Sequence, residues 1–355
     1  MNKSIYDNII IGGLATAVPT QWTSLECLSE FDEKSLKRFK KNIGVEGRYD
    51  AIDQQTASDL AYIAAKRLIE HKGINVDEIG ILVFVTQRPD YYGPATACVL
   101  HKRLGLSENC IAFDVNQGCT GMIHGISIVA SMLEFNQTKN ALLLFGDTIG
   151  KSCRRMVKDG IMDNSNNDAK LFGDAASALL LQKDESARPL ITSICTDGKG
   201  YKAIIEPYGQ ERHFYETRTF EMDGGAVFDF ATEKPPLLLR EFMNDIGTSP
   251  SDYDCLVLHQ ANMLIIKQIA KAAGFLPEQN LISIDEFGNT SSASIATALT
   301  KYYGEDDSEG TIKAMLCGFG IGLSWGCATI ELAKKDILPL IKTDDYYDDG
   351  CEGID

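Results

Sequence analysis

Short, almost uninterrupted apolar runs alternate along this chain with longer stretches of helical period. Residues 79–85 (IGILVFV) are apolar at nearly every position, the mark of a strand covered on both faces. Residues 141–145 (ALLLF), 178–181 and 255–258 read the same way. Between them, residues 57–71 (ASDLAYIAAKRLIEH) and 122–134 (MIHGISIVASMLE) space their apolar positions as helices do. Strands and helices in alternation predict an α/β protein. The polar stretch 183–189 (KDESARP) is the natural junction between two halves, which we place at 1–184 and 185–335. Residues 343–355 (TDDYYDDGCEGID) hold six acids and no base. Residues 336–355 therefore read as an acidic tail that is solvated or dependent on a partner.

The two halves echo one another. Aligning 77–87 (DEIGILVFVTQ) with the stretch that ends at 254–260 (DCLVLHQ) sets Thr86 on His259 and Gln87 on Gln260. Further on, 111–120 (IAFDVNQGCT) falls on 281–290 (LISIDEFGNT), which sets Cys119 on Asn289. An apolar helical pattern follows each. If the halves pack as pseudo-twofold mates, the strand ends carrying Cys119, His259 and Asn289 converge on one crevice.

Composition narrows the chemistry. The chain has 355 residues, 44% of them hydrophobic, and a formal charge of −16. That length favours two lobes over one core. The acidity disfavours nucleic acid as a partner. The longest apolar runs fall short of the ~18 residues of a membrane span. Ten cysteines without a CxxC pair and five scattered histidines give no metal-ligand spacing. The expectation is a cytoplasmic protein whose cysteines are mostly small buried apolar residues and which holds no metal or cofactor.

Cys119 follows an apolar strand and a Gly-containing turn and precedes a helix. A thiol there feels the positive end of the helix dipole, which can lower its pKa from ~8.5 to roughly 3.5–7.5. One more buried cysteine would look the same. His259 ends a buried strand and faces either the crevice or a backbone partner in the core. Asn289, before a helix, is either an N-cap or an amide donor for a substrate. The alternating glycines Gly318, Gly320 and Gly322, between β-like runs, suggest a sharp hairpin whose N–H groups approach a ligand. They do not form the dinucleotide-binding GxGxxG motif.

Together, Gly118-Cys119-Thr120-Gly121, His259-Gln260-Ala261-Asn262, Gly288-Asn289-Thr290-Ser291-Ser292-Ala293-Ser294 and Gly318 to Gly326 resemble the ordered motifs of the ketoacyl-acyl-carrier-protein synthase III group. That group belongs to the thiolase-like condensing enzymes, and the resemblance covers about residues 8–334. It implies a thiolase-like fold, two duplicated βαβαβ-type halves in a layered αβαβα sandwich, and a homodimer. It implies that Cys119 takes an acyl group from acyl-CoA, with backbone N–H groups of Cys119 and Ile321 as the oxyanion hole. His259 and Asn289 would then stabilise the enolate formed when malonyl-acyl-carrier protein loses CO2, with Phe319 against the departing carboxylate. One histidine with an asparagine, where the elongating synthases use two histidines, points to the initiating branch.

Several positions depart from the family pattern. Ile321 stands where glycine is usual, and Leu264 replaces a docking arginine. The tryptophan and arginine that clamp the CoA adenine are missing from 34–48, a stretch of six bases and one acid. Lys37, Arg38 and Lys41 there, Arg154 and Arg155 in a second basic cluster with Lys151 and Lys158, and Lys271 are the expected docking residues for the substrate and an acidic carrier protein. Solvated charged faces would look alike. Gly93 stands where acetyl-primed relatives place a phenylalanine, which implies an acyl pocket for longer primers. Competing readings are an acyltransferase of the same fold acting on an amine or alcohol, a Cys-His-Asn hydrolase and a non-catalytic partner subunit.

Overall fold

The computed structural model describes residues 2–27, 33–162, 168–186, 188–206 and 220–350. The first half contributes β1 (Lys3–Tyr6), β2 (Ile9–Val18), β3 (Trp22–Ser24), α1 (Glu33–Ile43), β4 (Gly47–Tyr49), α2 (Ala57–Lys72), β5 (Ile79–Val85) and α3 (Thr96–Leu104). It continues with β6 (Ile111–Val115), α4 (Gly121–Phe135), β7 (Asn140–Asp147), α5 (Ile149–Lys158), α6 (Asp168–Leu171) and β8 (Ala175–Lys183). Then come β9 (Leu190–Thr196), β10 (Ile204–Ile205), β11 (Glu221–Met222), α7 (Gly224–Asp245), β12 (Cys255–Leu258) and α8 (Met263–Ala273). The chain ends through α9 (Ile284–Phe287), α10 (Ser294–Tyr303), β13 (Thr311–Gly320), β14 (Ser324–Ala333) and β15 (Ile341–Lys342).

Two mixed sheets dominate. One has the order β15-β2-β8-β7-β5-β6, the other β1-β9-β14-β13-β12. The four apolar runs singled out in the sequence lie in β5, β7, β8 and β12, buried on both faces as continuous apolar strands should be. Helices α4 and α10 lie between the sheets and touch strands of both. Side chains from α4, α10 and the inner faces of the two sheets form one core. Helices α2 and α3 cover the outer face of the first sheet, while α7 and α8 cover the second. The layering is αβαβα, as expected.

The repeat is legible in these elements, with one difference. Parallel β5 and β6 in the first copy correspond in the second to β12 and a single bridge between Leu256 and Asn280. The strand expected over 281–283 is therefore reduced to that one bridge. Glycines Gly318 and Gly320 lie in the antiparallel β13–β14 hairpin, which turns at residues 321–323.

The chain passes from the first sheet to the second across 184–189, of which residue 187 lies outside the described residues. Two strands cross back. Strand β1 pairs antiparallel with β9 in the second sheet, and β15 pairs in parallel with β2 in the first.

That last pairing corrects the reading of 336–355 as a solvated tail, at least over 336–350; residues 351–355 lie outside the described residues. Gln55 donates to the carbonyls of Thr343 and Asp345. The Tyr347 N–H donates to Asp59 Oδ1, which also accepts from Arg103, and the Arg103 guanidinium lies over the rings of Tyr62 and Tyr347. Charge alone suggested solvation, but backbone bonding and cation–π contact hold the segment down. Truncation after Leu340 should cost about 2 kcal/mol, or about 2–3 °C in Tm for a chain of this length, for the handful of hydrogen bonds lost. An unchanged melting temperature would return these residues to the solvated reading.

Candidate active site

Residues from both halves close one apolar cavity of about 200 Å³. Cys119, Gln87, Ile149 and Phe172 line it from the first half, and His259, Asn289, Phe319 and Ile321 from the second. Phe39 and Ile43 of α1 and Phe220 and Met222 beside β11 add apolar wall.

Cys119 sits between β6 and the N-terminus of α4, and it opens only partly to the cavity. The chain of β13 comes very close: a Cβ on Gly320 would fall 2.8 Å from the Cys119 sulfur, so only glycine fits there. The backbone N–H groups of Ile321 and of Cys119 itself both act on the sulfur and favour its thiolate. Burial outweighs them and pushes the thiol up to about 11, and Asp147 adds in the same direction. The expectation of a depressed pKa thus fails for the resting chain. Removing the sulfur from water disfavours its anion more than the helix end and two N–H groups favour it.

Ile321 causes no backbone difficulty. The positive φ values lie on its neighbours, Gly320 and Gly322, and Ser291 is the one described non-glycine residue with φ above zero. The turn is held by the Ser324 hydroxyl, which donates to the Ile321 carbonyl at 2.8 Å and lies 2.9 Å from the Thr120 hydroxyl. Isoleucine therefore presents its N–H where glycine is usual in the family.

His259 follows β12, and its N–H donates to the Cys317 carbonyl. Its Nδ1 is 2.7 Å from Ser294 Oγ, and the Phe319 ring meets the imidazole edge-on at 5.4 Å. The ring is buried, which drives its pKa down to about 3 and keeps it neutral. Asn289 lies between α9 and the turn before α10. Its Oδ1 accepts from the Ser291 N–H at 2.9 Å, and its backbone bonds Leu171 and Gly173 of the first half. The local turn expected of an asparagine at this point is present, and it leaves Nδ2 as the amide's free donor.

The expected docking residues do not all belong together. Lys37, Arg38 and Lys41 lie exposed on α1, whose buried side carries Phe39, and Lys271 is exposed on α8, which packs beside α1. Arg155 is also exposed. Arg154 is not available, because it pairs with Asp50 at its Nη1 and with Asp174 at 2.8 Å from its Nη2. Lys151 is turned inward onto backbone carbonyls of Asp53 and Gln55. In the first stretch, Arg48 is fully buried against Asp50, and Lys40 pairs with Glu26 and Glu46. Counting bases along the sequence could not separate these paired cations from the free ones. Gly93 is exposed, does not line this cavity, and a side chain there would meet open space.

Sequence reasoning missed Ser294 behind His259, the cavity wall from α1 and β11, and the buried Asp147. Only Asp147 left a local signal, an acid closing the apolar run 141–145. Among the described residues no group of three His, Cys, Asp or Glu side chains could hold a metal, and no helix is long and apolar enough to cross a membrane.

The family described as 3-oxoacyl-[acyl-carrier-protein] synthase III matches residues 113–198, and its C-terminal part matches 243–332. Beta-ketoacyl-[acyl-carrier-protein] synthase III of Clostridium perfringens strain SM101 is 31% identical over 92% of this chain and 100% of its own. The chain belongs to this synthase III family. A 3-oxoacyl-(acyl-carrier protein) synthase from Burkholderia xenovorans LB400 superposes with a TM-score of 0.89 at 31% identity, over 96% of this chain and 99% of that one. The synthase III of Pseudomonas aeruginosa PAO1 gives 0.79 at 28% identity, over 95% and 100%. The protein is an acyltransferase-class condensing enzyme with the thiolase-like fold.

Two titrations check the electrostatics. Alkylation of Cys119 by iodoacetamide should accelerate with pH towards a midpoint near 11, because burial favours the uncharged thiol; a midpoint below that of a free thiol, ~8.5, contradicts this. The His259 resonance should show no imidazolium until about pH 3 is approached. A titration near the ordinary ~6.5 would mean that the ring is hydrated.

Proposed function

We propose that this synthase condenses an acyl-CoA primer with malonyl-acyl-carrier protein through an acyl group on Cys119, giving a 3-oxoacyl-acyl-carrier protein and CO2. The reading rests above all on one cavity lined by the thiol, the imidazole and the carboxamide together.

In the first half-reaction the sulfur of Cys119 attacks the acyl carbonyl. Its S–H proton leaves with the CoA thiol as the new thioester bond forms. The N–H groups of Cys119 and Ile321, already at the sulfur, carry the developing oxyanion. In the second, the malonyl C–COO bond breaks, CO2 departs and its electron pair forms the enolate. This step calls for the neutral His259 ring, whose Nδ1 lies 2.7 Å from the Ser294 hydroxyl, to carry its proton on Nε2 and donate it to the thioester oxygen beside Asn289 Nδ2. The enolate carbon attacks the acyl carbonyl, and the Cys119 sulfur leaves and takes up a proton. Phe319, packed on the imidazole, presents an apolar face that favours loss of the charged carboxylate as neutral CO2.

Lys37, Arg38 and Lys41 of α1 with Lys271 of the neighbouring α8 make an exposed cationic face suited to an acidic carrier protein, and Arg155 is exposed on α5. A cytoplasmic homodimer fits the outer edge of β6, which has no partner strand among the described residues and exposes Ile111. In such a dimer the exposed Gly93 loop would reach the partner's acyl pocket, and the missing side chain leaves room for primers longer than acetyl. No bound cofactor is needed for either half-reaction. Residues 1–184 and 185–335 supply the thiol and the two donors respectively.

Acyl-CoA and malonyl-carrier protein together should release CO2 and yield 3-oxoacyl product. Cys119→Ala should capture no acyl group by mass spectrometry. His259→Ala and Asn289→Ala should still acylate yet condense about 10²–10³-fold more slowly. Acyl transfer to an amine or alcohol without CO2 release would instead favour the same-fold acyltransferase. Primers beyond acetyl should acylate Cys119, and acceptance of acetyl alone would refute the role given to Gly93.

A further inference from the structure

Asp147 closes β7 at the bottom of the site, 1% exposed, and takes no part in the chemistry above. No cation pairs with it within 4 Å among the described residues; Arg88 acts on it only at longer range. A buried carboxylate without a paired cation persists only where hydrogen bonds replace its water. Its two oxygens divide that task between the halves of the molecule. Oδ1 accepts from the Thr86 hydroxyl at 3.0 Å and the Gln87 N–H at 2.8 Å, both just past β5. Oδ2 accepts from the Ser292 hydroxyl at 3.0 Å and more weakly from its N–H at 3.5 Å. Ser292 is three residues beyond Asn289.

The residues between form a tight, strained turn. Asn289 is fixed by its backbone bonds to Leu171 and Gly173, and Ser292 by Asp147. Between these two anchors Ser291 has φ of 50°, in the left-handed region that L side chains avoid. From that conformation its N–H reaches back to Asn289 Oδ1. The bond decides which way the amide faces: with Oδ1 turned to the backbone, Nδ2 is the atom left for the cavity.

We propose that Asp147 is a positioning residue for the condensation step, holding the Asn289–Ser292 turn so that the Asn289 amide presents Nδ2 to the substrate. The inference rests on the role proposed above for Asn289. Released from Asp147, Ser291 relaxes to a negative φ, its N–H leaves Oδ1, and the amide rotates freely. Burial pushes the Asp147 carboxyl up, and the hydrogen bonds from Gln87, Ser292 and Thr86 oppose that shift by favouring the anion; a carboxylate suits the position because every group facing it is a donor. Asparagine would set an NH₂ against either the Gln87 N–H, which cannot turn, or the Ser292 hydroxyl, which can turn and accept. Asp147→Asn therefore keeps part of the clamp, and Asp147→Ala keeps none.

The test compares Asp147→Ala, Asp147→Asn, Asn289→Ala and the Asp147→Ala/Asn289→Ala pair in the full chain. Acylation of Cys119 is followed by mass spectrometry, CO2 release from malonyl-carrier protein by its kcat and KM, and folding by thermal melting. Asp147→Ala should lower kcat for CO2 release by about 10²-fold, near the loss of one oxyanion donor, with KM and the acylation rate within about threefold. Asp147→Asn should fall between it and the parent, and the double variant should be no slower than Asn289→Ala, since both changes remove one interaction. Unchanged CO2 release, equal loss of acylation and condensation, or multiplying effects in the double variant would each overturn the proposal. If Asp147→Ala does not fold, Asp147→Asn carries the same comparison against Asn289→Ala. An Asn289→Ala enzyme with full CO2 release would overturn the reading of the site itself, a result distinct from failure of Asp147 alone.

Discussion

The whole site depends on two helices packed between two sheets. Helices α4 and α10 bury apolar side chains on both sides, and their N-terminal ends deliver Cys119 and the turn after Asn289 to the same place. The approach is close: a Cβ on Gly121 would lie 2.8 Å from Val85 and 3.0 Å from Ser292. One methyl group there would part the thiol from the asparagine turn. Burial on this scale stabilises the fold at about 25 cal/mol per Å² of apolar surface, and it also fixes the relative positions of groups more than 100 residues apart in the chain. Catalytic geometry and core packing are one constraint here.

The same burial sets the electrostatics. Water is kept from the sulfur and from the imidazole, so both rest uncharged, one well above and the other well below its ordinary pKa. A thiolate–imidazolium pair is thereby disfavoured. The polar partners are already in place: N–H groups of Ile321 and Cys119 at the sulfur, the Ser294 hydroxyl beside His259 Nδ1, and the Ser291 N–H behind Asn289. Charge that develops during reaction meets dipoles that need no reorganisation, where the low local dielectric makes each count for more.

Long apolar runs made the layers legible in the sequence, because a strand covered on both faces has no room for polar residues. The three polar side chains that share the cavity were legible through motif order, since each follows a strand or turn at a helix start. What stayed hidden was tertiary in origin. Arg154 and Arg155 are neighbours in sequence, yet one faces Asp50 and Asp174 and the other faces solvent. The pKa of Cys119 depended on how tightly β13 packs over it, which no local pattern encodes. The acidic stretch after 336 was misjudged because its anchors, Gln55, Asp59 and Arg103, lie more than 200 residues upstream.

Net charge misleads in the same way about partners. At −16 the chain as a whole would repel an acidic carrier, but at physiological ionic strength charges beyond about 8 Å are largely screened. What an approaching surface meets at the cavity mouth is α1, and that helix is two-faced. Phe39 and Ile43 turn inward to line the cavity, while Lys37, Arg38 and Lys41 point out. Its one partly buried base, Lys40, is neutralised by Glu26 and Glu46, and Lys37 stands 3.9 Å from Glu33, so the exposed positive charge of the outer face is carried chiefly by Arg38 and Lys41. One element of eleven residues thus turns apolar side chains to the cavity and cations to solvent.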